Sequence, residues 1–185
     1  MLVGRAVALR ARIESDVAVL HTGIYDDVLG QSEADLRAWR PLPPTSELSP
    51  YRVRESRPEE APFTIVALDD QRIVGEALLW AVDPHNRSAH LGIALLPHER
   101  GRGHGLDSVQ VLCRYAFRIL GLHRVQMETN EPNAAMCATA RRAGFTEEGR
   151  LRHAVWFDGR FVDEIVLGLV VDDWTEADPP APVPG

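Results

Sequence analysis

A glycine-rich loop between a predicted strand and an amphipathic helix constrains this sequence more than any other feature. Its residues are Arg100, Gly101, Arg102, Gly103, His104, Gly105 and Leu106. The first amides of a helix have no partner within the helix and lie at the positive end of its dipole, so they attract a phosphate. Glycine lets the backbone approach an anion closely and adopt positive φ. The sequence therefore predicts an anion-binding loop. Its two arginines add to the attraction for a polyanion.

Two familiar phosphate loops fit this segment poorly. A Walker loop ends in Lys followed by Ser or Thr, and that pair is absent here. A dinucleotide fingerprint needs a third glycine, but Gly103-His104-Gly105 is followed by Leu106-Asp107-Ser108. That fingerprint also follows the first strand of a βαβ unit, whereas this loop follows a predicted meander. A glycine-rich turn without a ligand stays open as the alternative at this point.

The segments around the loop predict an α+β domain. The expected strands are Val7–Ala11, Phe63–Leu68, Ile73–Val82, Ser88–Leu96, His123–Thr129, Ala154–Phe157 and Phe161–Val171. Short turns join the three strands before the loop, and Asp158-Gly159 is a strong hairpin signal. We therefore expect one mixed, mostly antiparallel central sheet of six to seven strands.

About four helices are expected to flank this sheet. They are predicted from Ser15, as N-cap, to Thr22; over Tyr25–Arg40; over Leu106–Leu120; and from Pro132 or Asn133 to Ala143. The third has apolar residues at helical spacing, and Gly144 is placed to end the fourth. Residues 45–62 show no clear period. One domain is expected over residues 1–176, with a disordered proline-rich tail over 177–185.

Composition narrows the partners. The formal net charge is −7, which argues against nucleic acid and anionic membranes and suits a cationic amine. No apolar run approaches the roughly 20 residues of a membrane span, and the N-terminus does not resemble a secretory signal. Cytoplasmic localisation is the expectation. Cys113 and Cys137 match no metal-ligand spacing and are expected to be free thiols, and the scattered histidines suggest no metal site.

The loop, taken with the residues around it, resembles the GNAT superfamily of acetyl-CoA-dependent N-acetyltransferases. The superfamily signature, Gln/Arg-x-x-Gly-x-Gly/Ala, is met by Arg100, Gly103 and Gly105 in the expected strand-loop-helix context. The chain looks most like the group that acetylates N-termini of ribosomal proteins. Over residues 5 to 174 it shares with that group Leu9-Arg10, Gly92, Thr129-Asn130, Asn133, Ala143-Gly144-Phe145, Glu148-Gly149, Leu151-Arg152, Asp158-Gly159 and Asp163.

The resemblance implies a cofactor site between two strands that splay apart, here Ser88–Leu96 and His123–Thr129. The pantetheine arm of acetyl-CoA would pair with backbone groups of Ile93, Ala94 and Leu95. The pyrophosphate would meet backbone amides from Arg100 to Leu106. Asn133 would bond the pantetheine arm, or serve as a helix N-cap, and both roles can coexist. The resemblance also suggests a homodimer formed through the terminal strands.

The sequence departs from the ribosomal group where that group places its acid–base chemistry. A serine of the group stands at the position of Met136, and a glutamate at that of Val155. His90, whose side-chain type titrates near neutral pH, is therefore the candidate base, and Cys137 the candidate acid. Each can equally be structural, as a half-exposed strand histidine and a packed thiol, and a water-relayed base is a further option. Candidate acceptor-site residues are Glu131, His153 and Trp156.

Together these features predict an N-acetyltransferase that transfers an acetyl group from acetyl-CoA to a primary amine. The acceptor would be a peptide N-terminus or a small amine, and the attack would be direct, within a ternary complex. The alternative is an acyl-CoA-binding sensor that kept the cofactor site and lost its acid–base groups. A purely structural partner-binding domain would have no need of the glycine-rich loop.

Overall fold

A computed structural model describes residues 1–176 of the chain, and the tail predicted for 177–185 lies outside the described residues. The strands and helices, in chain order, are β1 Leu2–Val3, β2 Val7–Ala11, α1 Glu14–Leu20, α2 Val28–Ala34, β3 Ala61–Ala67, β4 Ile73–Asp83, β5 Ser88–Leu95, α3 His104–Arg114, β6 Arg124–Asn130, α4 Ala134–Arg142, β7 Thr146–Phe157 and β8 Arg160–Val170. The eight strands form one sheet in the order β1-β2-β3-β4-β5-β6-β8-β7. This α+β architecture confirms the predicted fold class.

The sheet is antiparallel apart from one pair. The predicted meander is present, because β3 pairs with β4 and β4 with β5 in antiparallel register. The strands β5 and β6 lie side by side in parallel, since α3 connects them across the sheet. The hairpin of β7 and β8 then closes the other side, with β8 next to β6.

The main core lies on the sheet face that α3 and α4 cover. Alternate residues of each strand point to this face, while the residues between them point to the opposite one. The buried core residues nearest the centre of the sheet are Ala77, Leu79, Ala89, Leu91, Val125, Met127, Ile165 and Leu167, with Val109, Leu112 and Ala140 from the two helices. A smaller buried cluster contains Leu20, Ile24, Tyr25, Tyr51 and Leu96.

The strand count and one strand's length differ from the sequence prediction. The eighth strand is β1, which is only two residues long. The strand predicted over Ala154–Phe157 begins eight residues earlier, at Thr146. This strand, β7, is an edge strand, and Val155 is its one buried residue. An edge strand with so little burial has no apolar–polar alternation, which is the signal used to recognise strands.

The helices also differ in their bounds. Ser15 is not the N-cap of α1, because Ile13 occupies that position and Asp16 accepts the Ile13 backbone amide at 3.0 Å. The helix predicted over Tyr25–Arg40 is limited to α2, which Asp27 caps. A π-helical turn, His21–Tyr25, connects the two.

The helix after the loop starts at His104, two residues before the predicted Leu106. It ends at Arg114, and a π-helical turn, Tyr115–Ile119, continues it almost to the predicted end. The fourth helix agrees with its prediction within one residue at the C-terminus, and Gly144 follows it with a φ of 97°.

A single carboxylate ties the N-terminal segment to α3. Both oxygens of Asp107 accept backbone amides, from Arg5 at 3.0 Å, Ala6 at 2.7 Å and Val7 at 2.9 Å. Three donors converge on one side chain about 100 residues away in sequence. Since an unpaired buried donor costs free energy, this contact fixes β2 against the helix that begins at the glycine-rich loop.

Replacing this carboxylate should destabilise the fold. In Asp107→Ala the three amides lose their acceptor, so we expect the free energy of unfolding to fall by about 3 kcal/mol. Urea unfolding followed by circular dichroism measures the change. The matched control is Asp172→Ala, at an exposed aspartate, which should stay near the wild-type value. Equal stability of the two variants would contradict the role given to Asp107.

Candidate active site

The two parallel strands of the sheet separate partway along their length. The strands β5 and β6 pair at Ser88–Arg124, Ala89–Val125 and His90–Gln126, and the pairing stops there. On its other side β5 stays paired with β4 through Leu95. The strand β6 likewise stays paired with β8 through Asn130. The backbone from Leu91 to Leu95 therefore has one edge facing a wedge-shaped gap, where no neighbouring strand pairs with it and a ligand with amide groups can do so.

The glycine-rich loop adopts a conformation that only glycine takes readily. Gly101 has a φ of 75° and Gly103 a φ of 85°, and a Cβ at either position would meet nothing within 4 Å. These two glycines are therefore required by backbone conformation and leave an open surface around the loop. Gly103 is the N-cap of α3, and no side chain caps the first amides of this helix. Those amides are available to an anion.

Gly105 has a different role from the other two glycines. It lies inside the first turn of α3, where an added Cβ would come 3.5 Å from Ile93 Cδ1 and 3.6 Å from Leu95 Cδ1. Thr139 Cγ2 of α4 would be 4.0 Å away. The start of α3 thus packs at the open end of the gap between β5 and β6, with α4 beside it.

A buried carboxylate organises the basic groups of the loop. Glu99 is 2% exposed, and Arg72 donates to both its oxygens, at 2.9 and 3.3 Å. These hydrogen bonds lower the pKa of Glu99. Arg102 lies 3.9 Å from it, and the Nδ1 atom of His104 lies 3.4 Å from its Oε2.

The His104 Nδ1 atom is buried beside this carboxylate and makes no hydrogen bond in the described part of the chain. The uncapped amides at the start of α3, with the two arginines of the loop, are what fit a site for a polyanion. The donor set of this loop therefore suits the pyrophosphate of coenzyme A.

Arg100 connects the loop to the helix α2. Its Nε donates to the carbonyl of Leu95 at 3.2 Å, and its NH2 lies 3.5 Å from the Asp27 carboxylate. Because Asp27 is the N-cap residue of α2, the first arginine of the motif touches both the end of β5 and the opposite wall of the gap.

Asn133 is the N-cap of α4. Its Oδ1 accepts the Met136 amide at 3.0 Å, and its Nδ2 donates to the carbonyl of Glu33 at 3.1 Å. Asn130 makes a parallel contact, because its Nδ2 donates to the carbonyl of Ser32 at 3.1 Å. The two asparagines therefore hold the end of α2 against the end of β6, and the structural role considered for Asn133 is realised.

His90 lies at the last paired position before the gap, on the sheet face that α3 and α4 leave uncovered. Its neighbours in β5, Ala89 and Leu91, are buried in the main core on the other face. The His90 ring packs on the Trp80 indole with centroids 5.4 Å apart. Its Nδ1 lies 3.0 Å from the Glu128 carboxylate, and its side chain is 34% exposed.

Glu128 is the site residue that sequence reasoning missed. It alternates with the core residues Val125 and Met127 in β6 and therefore shares a face with Gln126. That alternation was visible in the sequence. Which residue Glu128 would contact depends on the register between β5 and β6, and no local sequence pattern predicts that register.

The structure places Cys137, the candidate acid, and the two positions where the expected polar groups are replaced. Cys137 is buried, and burial raises the pKa of its thiol, which makes proton donation less favourable. Met136 packs against the main core and Val155 is buried. Both side chains are apolar, so these positions offer no acid or base.

The three residues considered for the acceptor site lie near the β7–β8 hairpin. The His153 amide donates to Asp163 at 3.0 Å, and Arg150 donates to Glu131 at 2.7 Å. The Trp156 indole meets the Phe161 ring with centroids 5.0 Å apart. A shallow depression beside them is lined by Arg150, Leu151, Arg152, His153 and Asp163.

Among residues 1–176, no group of three or more His, Cys, Asp or Glu side chains could hold a metal ion. No helix in this part of the chain has both the length and the apolar character needed to cross a membrane.

With the fold and this geometry described, known proteins can be compared. Residues 7–146 match the acetyltransferase (GNAT) domain family. The probable N-acetyltransferase YjcK of Bacillus subtilis (strain 168) is 28% identical over 127 residues, which are 68% of this chain and 70% of that protein. Other relatives are matched over 58% to 61% of their own lengths.

Solved structures share the fold. Spermidine N-acetyltransferase from Vibrio cholerae, in complex with CoA and spermine, has a TM-score of 0.79 at 20% identity and covers 91% of this chain and 97% of its own. The ribosomal L7/L12 alpha-N-protein acetyltransferase RimL, in complex with coenzyme A, has a TM-score of 0.72 at 21% identity, with coverages of 91% and 96%. The separated strands and the loop are the scaffold of an acyltransferase, and the family match covers residues 7–146, most of the chain. This chain belongs to the GNAT acetyltransferase family.

Two positive-φ glycines provide a matched test of the loop: Gly103, the N-cap of α3, and Gly121, which follows the π-helical turn after that helix. Gly103→Val and Gly121→Val both place a branched residue where φ is positive and space is open, so each should lose a similar stability, about 1–2 kcal/mol. Only Gly103→Val covers the amides at the start of α3. We expect it to abolish binding of CoA, measured by isothermal titration calorimetry, while Gly121→Val binds normally. Unchanged affinity of Gly103→Val would remove the loop from the cofactor site.

Proposed function

We propose that this protein transfers the acetyl group of acetyl-CoA to a primary amine by direct attack, with His90 as the base. The observation that carries the proposal is the position of His90. It lies where β5 and β6 stop pairing, at the inner end of the gap whose open end is formed by the glycine-rich loop. A donor bound from loop to gap would bring its thioester toward this residue.

The donor side follows from the free backbone groups. The uncapped amides at the start of α3 would hold the pyrophosphate, with His104 and Arg102 beside them. The unpaired edge of Ile93, Ala94 and Leu95 would pair with the pantetheine amides as a partial strand. Asn133 would contact the same arm if its Nδ2 leaves the Glu33 carbonyl.

The acceptor must lose a proton before it attacks. A primary amine is mostly protonated at neutral pH, so a base beside the thioester is needed. The ammonium would give a proton to His90, and the free amine would form the C–N bond as the C–S bond breaks. A backbone amide of the unpaired β5 edge would stabilise the developing oxyanion. The thiolate keeps the C–S electron pair and takes up the second amine proton, and His90 returns the first to solvent.

Direct attack is preferred over an acyl-enzyme route because the cysteines suit no nucleophilic role. Cys113 and Cys137 are both buried, and burial raises the pKa of each thiol. A thiol that resists ionisation is a poor nucleophile, because the thiolate is the reactive form.

The environment of His90 supports a cationic acceptor. Glu164 lies on the same sheet face as His90, because it alternates with core residues in its strand. The Trp80 ring adds an aromatic surface that attracts an ammonium group. Two of the similar proteins above are named for amine acceptors, spermidine and a ribosomal protein α-amine. A small amine and a peptide N-terminus both satisfy this chemistry.

Release of free CoA tests the proposed reaction. The purified protein is incubated with acetyl-CoA and, separately, with spermidine, an amino sugar and peptides with different N-terminal residues, and thiol release is followed with a chromogenic disulfide. We expect turnover with at least one amine and none with the N-acetylated form of the same acceptor. Tight CoA binding without turnover of any acceptor would overturn the proposal in favour of an acyl-CoA sensor.

Substitution of the base tests the role of His90. In His90→Ala we expect kcat to fall roughly 100-fold or more, the usual contribution of a positioned base. The acidic limb of the pH–rate profile should flatten as well, because that limb reports protonation of the base. An unchanged profile would remove His90 from the mechanism. The control is His98→Ala, an exposed histidine on the turn before the loop, which should retain the wild-type profile.

A further inference from the structure

One polar network on the sheet face opposite to α3 and α4 ends at His90. Arg124 NH2 donates to the side-chain oxygen of Gln126, Oε1, at 3.0 Å, and Gln126 Nε2 donates to Oε1 of Glu128. Glu128 in turn faces His90 Nδ1 at 3.0 Å. The first three residues occupy alternate positions of β6, so the strand itself sets their spacing. The direction of each hydrogen bond is fixed, because the arginine can only donate and the carboxylate can only accept.

The contact between Glu128 and His90 Nδ1 determines the tautomer of the imidazole. A carboxylate accepts hydrogen bonds, so Nδ1 of His90 must carry the hydrogen. In the neutral ring Nε2 then has the free lone pair, which is the form that a base needs. The same carboxylate offsets the positive charge that appears when Nε2 takes a proton. Trp80 packs on the ring and limits its orientation.

From this network we infer that Glu128 is a positioning residue for the reaction, holding His90 in the tautomer and orientation in which Nε2 accepts the proton of the amine. The inference rests on the proposed base. It adds a residue from a different strand, 38 positions away in sequence. Glu128 itself touches neither substrate and acts only through His90.

The other charged groups around His90 are consistent with this role. On β8, burial and then the negative charge of Glu128 raise the pKa of Glu164. On β6, Arg124 is held by Gln126 and by the Glu148 carboxylate of β7. On β4 the ring of Trp80 is the neighbour and carries no charge.

The tautomer can be measured directly in the resting protein. In a sample labelled with ¹⁵N-histidine, the His90 ring nitrogens are assigned by their loss in His90→Ala. We expect the Nδ1–H form in the wild type and a shift toward the Nε2–H form in Glu128→Ala, which has no acceptor for Nδ1 at this position. A wild-type ring in the Nε2–H form, or an unchanged ring in Glu128→Ala, would overturn the inference. This measurement does not depend on turnover.

Kinetics test the consequence for the reaction. With acetyl-CoA and the panel acceptor that releases CoA fastest, we expect Glu128→Gln to lower kcat roughly tenfold to hundredfold, a part of what a positioned base contributes. The KM for acetyl-CoA should stay within about twofold, since Glu128 lies away from the loop. Glu128→Asp, which keeps the carboxylate, should recover part of kcat.

Two comparisons separate positioning from a structural effect. Glu147→Gln removes a carboxylate that pairs with Arg141 on the protein surface, and it should leave kcat and the pH profile unchanged. The double variant His90→Ala, Glu128→Gln should be no slower than His90→Ala alone, because Glu128 has no route to the reaction without His90. Additive losses would overturn the inference and leave the proposed base intact. A His90→Ala variant with wild-type kinetics would instead overturn the base itself.

Discussion

The end of pairing between β5 and β6 after His90 and Gln126 is the constraint on which the rest of the site depends. Three register pairs hold these strands together, and β4 and β8 hold their outer edges beyond that point. A strand edge with free backbone groups is usually a liability, since it invites pairing with another chain. Here the free edge lies inside the sheet, between α3 and α4, where a ligand with amide groups can complete it.

The packing around the gap maintains this opening. The start of α3 rests on Ile93 and Leu95 through Gly105, and Asp107 in the same turn accepts three amides of the N-terminal segment. On the opposite wall, Asn130 and Asn133 hold the carbonyls at the end of α2. The helix α3, which presents free amides to an anion, and the helix α2 are therefore both anchored to the strands that separate.

The loop and the proposed base depend on different parts of the fold. The loop depends on local conformation, with positive φ at Gly101 and Gly103 and uncapped amides at the start of α3. The His90 environment depends on the register of three neighbouring strands, which brings Trp80, His90 and Glu128 together. With His90 as the proposed base, positions 136 and 155 would not need the polar groups that the resemblance leads one to expect there. The base proposed here is supported from β6 rather than from α4 or β7.

The sequence by itself determined the meander, the loop, the helix after it and the family, because each depends on short-range patterns. Strand alternation, turn residues and glycine conformations are each determined by residues a few positions apart in the sequence. Only the tertiary structure decided that β7 is a long exposed edge, that Asn133 Nδ2 meets Glu33, and that Glu128 faces His90. These features depend on which strands become neighbours and in what register. Register is set by the burial of whole sheet faces rather than by any local pattern.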